Sequence, residues 1–144
     1  MGLLRIARTP LVTVNQEASV LEAVSVMAQE SIGAIAVTQG NRLIGIFSER
    51  DLMLRVVSET RDPERTQVCE VMTSPVETIE RDSTADDALK IMLEKHIRHL
   101  PIIDRDGKLC GMISMRSLLH EKVEELTDQL DSLEAYFTAD GFGG

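Results

Sequence analysis

The sequence predicts an α/β protein built from two β-α-β-β-α repeats that pack with pseudo-two-fold symmetry, followed by an extended C-terminal helix. Two observations support this prediction. Residues 9–14 align with residues 74–79, and the same register continues through each copy. In both copies the apolar residues follow first a strand-like and then a helix-like period. A single unit of roughly sixty residues buries too little surface to be comfortably stable, so the two units are expected to pack against each other.

The aligned positions keep their chemistry along the repeat. In the first half, Ala23, Met27 and Ile32 align with Ala88, Met92 and Ile97. After one extra residue in the second copy, Leu43, Gly45, Ser48, Arg50 and Leu52 align with Leu109, Gly111, Ser114, Arg116 and Leu118. The two copies are therefore expected to fold alike.

The order of elements follows from apolar periods and turn residues. In the first copy, Ser19 and Glu22 have the spacing of a capping box, and Ala23 and Met27 follow at helical intervals. The predicted elements are a strand at 11–14, a helix after residue 19, a hairpin of strands 32–38 and 43–47, and a helix at 49–58. The second copy repeats them as 76–79, a helix entered at Thr84, strands 100–103 and 109–113, and a final helix.

The chain divides accordingly. We expect the first repeat over residues 6–60, a polar linker over 61–70 and the second repeat over 71–122. The final helix extends over 123–137, and the glycine-rich residues 138–144 form a disordered tail.

The helical extension carries one apolar stripe. Val123, Leu126, Leu130, Leu133 and Phe137 are spaced by three, four, three and four residues, and acidic residues occupy most of the other positions. Two interpretations stay open. The helix packs back on its own module, or the stripe is a dimer contact.

Composition excludes several classes of protein. The net charge of -9 over 144 residues repels polyanions and gives no general footprint for nucleic acid or acidic lipid. Neither a signal peptide nor a membrane-spanning run is recognisable, so a cytoplasmic protein is expected. Cys69 and Cys110 are too few for a disulfide framework or a zinc site. His96 and His99 lack a nearby third ligand, so we expect no metal.

One motif recurs where a strand runs into a helix. Residues 45–51 read Gly-Ile-Phe-Ser-Glu-Arg-Asp, and residues 111–117 read Gly-Met-Ile-Ser-Met-Arg-Ser. With these motifs, and with residues 97–104 beside the second, the sequence resembles a tandem pair of CBS (cystathionine beta-synthase) domains over about residues 6–122, of the stand-alone bacterial or archaeal type. The family's nucleotide motif is Gly, two hydrophobic residues, Ser or Thr, two free positions, then Asp or Asn. The first copy fits it throughout.

The resemblance implies a non-catalytic, regulatory module that binds an adenosine-containing ligand in the cleft between the repeats. AMP is the expected ligand, with ADP, ATP and NAD(H) close behind. The family often forms disc-shaped dimers, so a homodimer that acts in trans on an unidentified protein is expected. The residues that the resemblance assigns to nucleotide binding are Ile46, Ser48, Arg50, Asp51, Arg98, His99, Pro101, Ser114 and Arg116.

The chemistry of such a ligand gives these residues roles. The carboxylate of Asp51 would accept hydrogen bonds from both ribose hydroxyls, while Ser48 and the helix N-terminus would face the phosphate. In the family, a basic pair of one repeat faces the ribose carboxylate of the other. This places Arg98, His99 and Arg116 with Asp51 in one complete site. Ile46 and Pro101 would flank the adenine, although their composition is equally typical of plain core residues.

The second cleft is expected to be weaker. Asp51 aligns with Ser117, so the second motif lacks the carboxylate, and Arg98 and His99 align with Gly33 and Ala34. Little would remain there to hold ribose or phosphate.

Two alternatives stay open. Ser48 and Asp51 also have the spacing of a reciprocal helix cap, which needs no ligand. The serine at position 117, where the first motif has Asp51, supports a second possible function, a dimerising scaffold in which nucleotide binding has been lost.

Overall fold

A computed structural model describes residues 2–8 and 10–137 and confirms the α/β class. It contains two three-stranded sheets with strand orders β1-β2-β3 and β4-β5-β6. The first repeat comprises β1 (Thr13–Asn15), α1 (Val20–Glu30), β2 (Ala34–Gln39), β3 (Arg42–Ser48) and α2 (Glu49–Asp51), which continues as a π-helical stretch at Leu52–Val57. The remaining elements are α3 (Val68–Val71), β4 (Ile79–Glu80), α4 (Ala85–Lys95), β5 (His99–Ile103), β6 (Leu109–Ser114) and α5 (Met115–Phe137).

The long helices begin where the sequence predicts. The hydroxyl of Ser19 accepts a hydrogen bond from the backbone N–H of Glu22 at 3.0 Å. Thr84 and Asp87 form a complete capping box at the start of α4. Both helices end at a residue in the left-handed conformation, Ser31 and His96. The repeats therefore agree in local geometry as well as in sequence.

Each sheet has the same topology. The first strand pairs in parallel with the second, and the second pairs antiparallel with the third. The glycine of each motif lies on the third strand, with Gly45 opposite Val37 and Gly111 opposite Ile102. The motif therefore runs off the edge strand of each sheet into the next helix.

Each hydrophobic core is completed by a segment that precedes the other repeat. Val68 and Val71 of α3 are buried in the core of the first repeat. Leu3 and Ala7, in and after a 3₁₀ turn at Leu3–Arg5, are buried in the core of the second. We call residues 3–7 and 68–72 the exchanged segments. Helix α3 overlaps the end of the range expected as linker, 61–70, and ends one residue beyond it.

The motif glycines make room for the exchanged segments. A Cβ atom on Gly45 would lie 2.3 Å from Sδ of Met72. A Cβ atom on Gly111 would lie 2.9 Å from Cδ2 of Leu4. Since both distances are far below ordinary contact, glycine is required at these positions by close packing.

The C-terminal helix is observed as predicted, and α5 runs without a break to Phe137. Every residue from 123 to 137 is exposed, so the extension does not pack back on its own module. The expected disordered tail, residues 138–144, lies outside the described residues. Within the described part of the chain, none of the helices is long and apolar enough to cross a membrane.

Candidate functional site

Two clefts lie between the repeats. The first, of about 740 Å³, is lined by the motif of the first repeat and by residues 96–99 of the second. The second, of about 660 Å³, is lined by the motif of the second repeat and by residues 31–34 of the first. Both volumes fall in the range of small-molecule sites.

Asp51 lies at the floor of the first cleft and is 7% exposed. Its Oδ2 accepts hydrogen bonds from the backbone N–H of Ser48 at 3.0 Å and from the Ser48 hydroxyl at 3.1 Å. The Ser48 hydroxyl in turn accepts from the backbone N–H of Asp51 at 3.3 Å. The reciprocal cap that the spacing allowed is therefore present.

The cap does not use all the acceptor capacity of the carboxylate. Two carboxylate oxygens offer about four lone-pair positions. At Oδ1, the partners are the Thr73 hydroxyl at 3.0 Å and, as an ion pair, Nε of Arg55 at 3.8 Å. Both side chains line the cleft. A cap at Ser48 is thus compatible with a second role for Asp51.

Sequence reasoning missed Thr73 and Arg55. Thr73 lies one residue before the aligned Ser74-Pro75 pair, and its backbone forms two hydrogen bonds with Ile46. Arg55 also donates to the carbonyl of Met72 at 2.7 Å. The position of Thr73 next to the aligned repeat could have indicated its role. Arg55 is one of several exposed residues on its helix, and its sequence position gives no indication of a role in the cleft.

Basic residues of the second repeat line the first cleft together with Asp51. Arg98 is exposed and His99 is half-buried at the start of β5. Burial lowers the pKa of His99 below its ordinary value, and the charge of Arg98 lowers it further, while Glu49 acts in the opposite direction. The first cleft is thus lined by the carboxylate of Asp51, the guanidinium of Arg98 and the imidazole of His99, which its lowered pKa keeps largely neutral at pH 7.

Three residues line both clefts: Gly33, Glu49 and His99. A Cβ atom on Gly33 would lie 3.3 Å from Oε1 of Glu49 and 3.5 Å from Cε1 of His99. The two clefts therefore adjoin, with Glu49 and His99 at the boundary.

The second cleft contains more cationic side chains than the sequence predicted. Ser117 stands where the first cleft has Asp51, and its hydroxyl lies 3.0 Å from the Ser114 hydroxyl. Arg8 and Arg116 also line this cleft, and Arg8 pairs with Glu30 at 2.7 Å. Arg8 occupies the place that Thr73 has in the first cleft, since each donates its backbone N–H to the third strand of the other repeat.

The structure brings most of the predicted residues together. The first cleft is lined by Ile46, Ser48, Arg50, Asp51, Arg98 and His99. Ser114 and Arg116 line the second cleft, contrary to the expected placement of Arg116 beside Asp51. Arg116 is the counterpart of Arg50, so the pseudo-symmetry places it in the opposite cleft. Pro101 is buried in β5 and lines neither cleft.

The described residues include no group of three or more His, Cys, Asp or Glu side chains that could hold a metal ion. His96 lines the first cleft together with His99.

Comparison with known proteins identifies the family. A model of the CBS domain matches residues 4–58 and 68–124. The chain belongs to the CBS-domain family. It is 36% identical to the uncharacterized protein MK0525 of Methanopyrus kandleri over 115 residues, 79% of this chain and 59% of that protein. It is 34% identical to the CBS domain-containing protein YhcV of Bacillus subtilis over 110 residues, 76% of this chain and 77% of that protein.

Solved CBS-domain structures confirm the tandem-repeat fold. A CBS-domain protein of Burkholderia ambifaria MC40-6 superposes with a TM-score of 0.80 at 32% identity, covering 86% of this chain and 95% of that one. PAE2072 of Pyrobaculum aerophilum, complexed with AMP, has a TM-score of 0.74 at 24% identity, covering 81% and 89%. The CBS domain pair of MJ0100, in complex with 5'-methylthioadenosine and S-adenosyl-L-methionine, has a TM-score of 0.77 at 18% identity, covering 87% and 98%. Because PAE2072 and MJ0100 are less than 25% identical to this chain, their similarity supports the fold alone.

Proposed function

We propose that this CBS-domain chain is a cytoplasmic, non-catalytic regulatory module that binds an adenosine phosphate in the first cleft. One observation carries the proposal. The buried carboxylate of Asp51, from the first repeat, and the side chains of Arg98 and His99, from the second, line a single cleft of about 740 Å³. A nucleoside monophosphate has a diol and a phosphate at the two ends of its ribose, and this arrangement offers an acceptor to one and donors to the other.

The ligand we favour is AMP. Asp51 would hold the ribose diol, and Arg98 and His99 would meet the phosphate, with Ser48 on the phosphate side. ADP, ATP and NAD(H) are the next candidates, because the second cleft adjoins the first at Gly33, Glu49 and His99. The ligands of PAE2072 and MJ0100 share an adenosine group, which supports this class.

Thermal shift with a panel of ligands tests the proposal. AMP, ADP, ATP, NAD, NADH and S-adenosylmethionine are each added at millimolar concentration. A ligand at about a hundred times its dissociation constant adds roughly 2.7 kcal/mol, which raises the midpoint by several degrees. A flat response across the panel contradicts the proposal.

Two matched variants locate the site. Arg98→Ala should abolish most of the AMP-dependent shift, because it removes a charged donor from the first cleft. Arg116→Ala, which removes a guanidinium from the second cleft, should leave the shift unchanged. Equal losses in both variants would place the ligand across the two clefts.

We also propose that the module is a homodimer and passes its signal to another protein. Met53 and Val57 in the first repeat and Leu119 and Val123 in the second occupy aligned positions and are all about half exposed, between 48% and 65%. Both repeats thus present apolar side chains at the same place, which is typical of an interface. Light scattering should report about twice the 16.0 kDa chain mass.

A dimerising scaffold without nucleotide binding is the second candidate. Ser117 favours it, because the second motif lacks the carboxylate. A dimer that shows no thermal shift with the whole panel would support this function.

A further inference from the structure

The second cleft reaches further along its repeat than the first cleft does. It is also lined by five residues from the segment before β1 and from α1, which we call the apolar recess: Leu11, Val12, Val24, Met27 and Ala28. Their aligned counterparts all lie in the described part of the chain but do not line the first cleft: Val76, Glu77, Leu89, Met92 and Leu93. The pseudo-symmetry of the two clefts therefore ends at the recess.

Two differences between the repeats accompany the recess. Val12 stands where the second repeat has Glu77, whose carboxylate pairs with Lys95 at 4.0 Å. Ala28 stands where the second repeat has the larger Leu93. A charged side chain and a bulky one are thus both replaced by small apolar groups. The second cleft gains apolar surface that the nucleotide proposed for the first cleft would not find there.

The side chains of the apolar recess are aliphatic. Met27 is 5% exposed, and Leu11, Val12 and Val24 are half-buried. None of the five side chains carries a nitrogen or oxygen atom. The polar edge of a purine would lose water there without gaining a hydrogen bond from a side chain, whereas an alkyl chain has no polar atom to leave unsatisfied.

A cationic group lines the same cleft. Arg116 is exposed, and it forms no ion pair with any residue among 2–8 and 10–137. Arg8 also lines the cleft, but its charge is shared with Glu30 at 2.7 Å. Ser117 replaces the carboxylate that would accept from a ribose. The guanidinium of Arg116 is therefore the group that can pair with an anion, and two parallel hydrogen bonds to a carboxylate are its preferred geometry.

We propose that the second cleft binds an aliphatic carboxylate of medium chain length. Arg116 pairs with the carboxylate, and the alkyl chain lies in the apolar recess. The cleft volume of about 660 Å³ is in the range of small-molecule sites. This ligand class differs from the nucleotide of the first cleft, and the inference does not depend on nucleotide binding.

Calorimetry with hexanoate, octanoate and decanoate tests the ligand class. Octanoate should bind once per chain, and each added methylene group should tighten binding about fourfold as it enters the recess. Octan-1-ol has the same chain without the charge and should bind at least about tenfold more weakly than octanoate. No binding of the carboxylates at millimolar concentration, an affinity independent of chain length, or equal affinity for octan-1-ol would overturn the proposal.

Two arginine variants distinguish the clefts. Arg116→Ala should weaken octanoate binding roughly tenfold to a hundredfold, while Arg98→Ala, in the first cleft, should leave it unchanged. The AMP-dependent shift should respond to the same two variants in the opposite way. An octanoate affinity lowered by Arg98→Ala, or unaffected by Arg116→Ala, would place the ligand elsewhere and overturn the proposal. A chain that does not bind AMP at all leaves this test unaffected.

A pair of exchanged residues locates the alkyl chain. Ala28→Leu introduces the residue of the aligned position at an exposed site of α1, and it should weaken decanoate binding more than hexanoate binding because it fills part of the recess. Leu93→Ala is the reciprocal control, since Leu93 is 61% exposed and does not line the first cleft, and it should leave all three affinities unchanged. An unchanged circular dichroism spectrum verifies that both variants fold. Equal responses to the two variants would contradict a chain in the recess.

Discussion

The hydroxyl of Thr73, which precedes the second repeat, donates to the carboxylate of Asp51, in the motif of the first repeat, at 3.0 Å. The same carboxylate caps its own helix through Ser48. The side chain of Asp51 therefore caps a helix, contacts the other repeat and lines the first cleft.

Thr73→Val should destabilise the fold, because a hydrogen bond to a charged group contributes about 1.5–3 kcal/mol and valine cannot donate. Urea unfolding measures the loss. Thr73→Ser keeps the hydroxyl and should retain most of the stability. Equal losses in the two variants would show that the methyl group, and not the hydroxyl, is what matters.

Substitution of Asp51 should separate the cap from the ligand. Asp51→Asn keeps an oxygen that can accept from Ser48 but removes the charge that Thr73 and Arg55 contact, so the free energy of unfolding should fall by less than in Asp51→Ala, while the loss of the charged acceptor should weaken AMP binding roughly tenfold to a hundredfold. Calorimetry measures the affinity.

Asp51→Ala serves as the reference for this pair. It should weaken AMP binding similarly but lower stability further, because it removes both the cap, which contributes about 1 kcal/mol, and the hydrogen bond from Thr73. If Asp51→Ala lowers stability and leaves AMP binding unchanged, Asp51 is a cap and nothing more.

Gly45→Ala should be destabilised by about 1–3 kcal/mol, because the added methyl group overlaps Met72 of the exchanged segment. Combining it with Met72→Ala should recover part of this loss, which a double-mutant cycle detects. Gly40→Ala is a reference for backbone strain alone, because Gly40 has a φ of +62° and no atom within 4 Å of the new methyl group. Strictly additive losses for Gly45 and Met72 would rule out the overlap as the cause.

The lowered pKa of His99 predicts a pH dependence of stability. An unfolded histidine takes up a proton near pH 6.5, and the folded chain binds this proton less tightly. The contribution of neutral His99 to the free energy of unfolding is therefore complete above about pH 6.5 and decreases as the pH falls. Urea unfolding at pH 8.0 and pH 5.5 should show a smaller difference for His99→Gln than for the parent chain. An unchanged difference would contradict the burial of the neutral ring.

Ser117→Asp should add a carboxylate to the second cleft at the counterpart of Asp51. We expect calorimetry to count two adenosine sites per chain instead of one. Since Arg8 and Arg116 line that cleft, AMP should also bind there, although more weakly than in the first cleft. Ser117→Ala adds no acceptor at this position and should keep a single site. Two equal sites in the parent chain would contradict the asymmetry itself.

Sequence reasoning was most accurate where a motif and a local period coincide. The β-α-β-β-α order, the caps at Ser19 and Thr84 and the start of α5 at the end of β6 follow from neighbouring residues. The gathering of Ser48, Asp51, Arg98 and His99 in one cleft follows from the resemblance between the repeats and a known family.

It was least accurate for contacts between distant segments. Arg116 was assigned to the wrong cleft, because aligning two repeats identifies equivalent positions but not the cavity that each one lines. The burial of Leu3 and Val68 was missed because each belongs to a segment of a few residues, too short to show a period. Arg8 gains its place in the second cleft only through such a segment.

The exchanged segments make the two repeats one cooperative folding unit. Residues 3–7 are synthesised long before β6 and the start of α5, with which they share a core. The core of the first repeat is likewise incomplete until residue 72 has been synthesised. A cut near residue 60 would therefore not release two independent halves. Each half would retain the exchanged segment that completes the core of the other half. Thermal or chemical unfolding should then be a single transition, and a ligand that stabilises the first cleft will stabilise the second repeat with it.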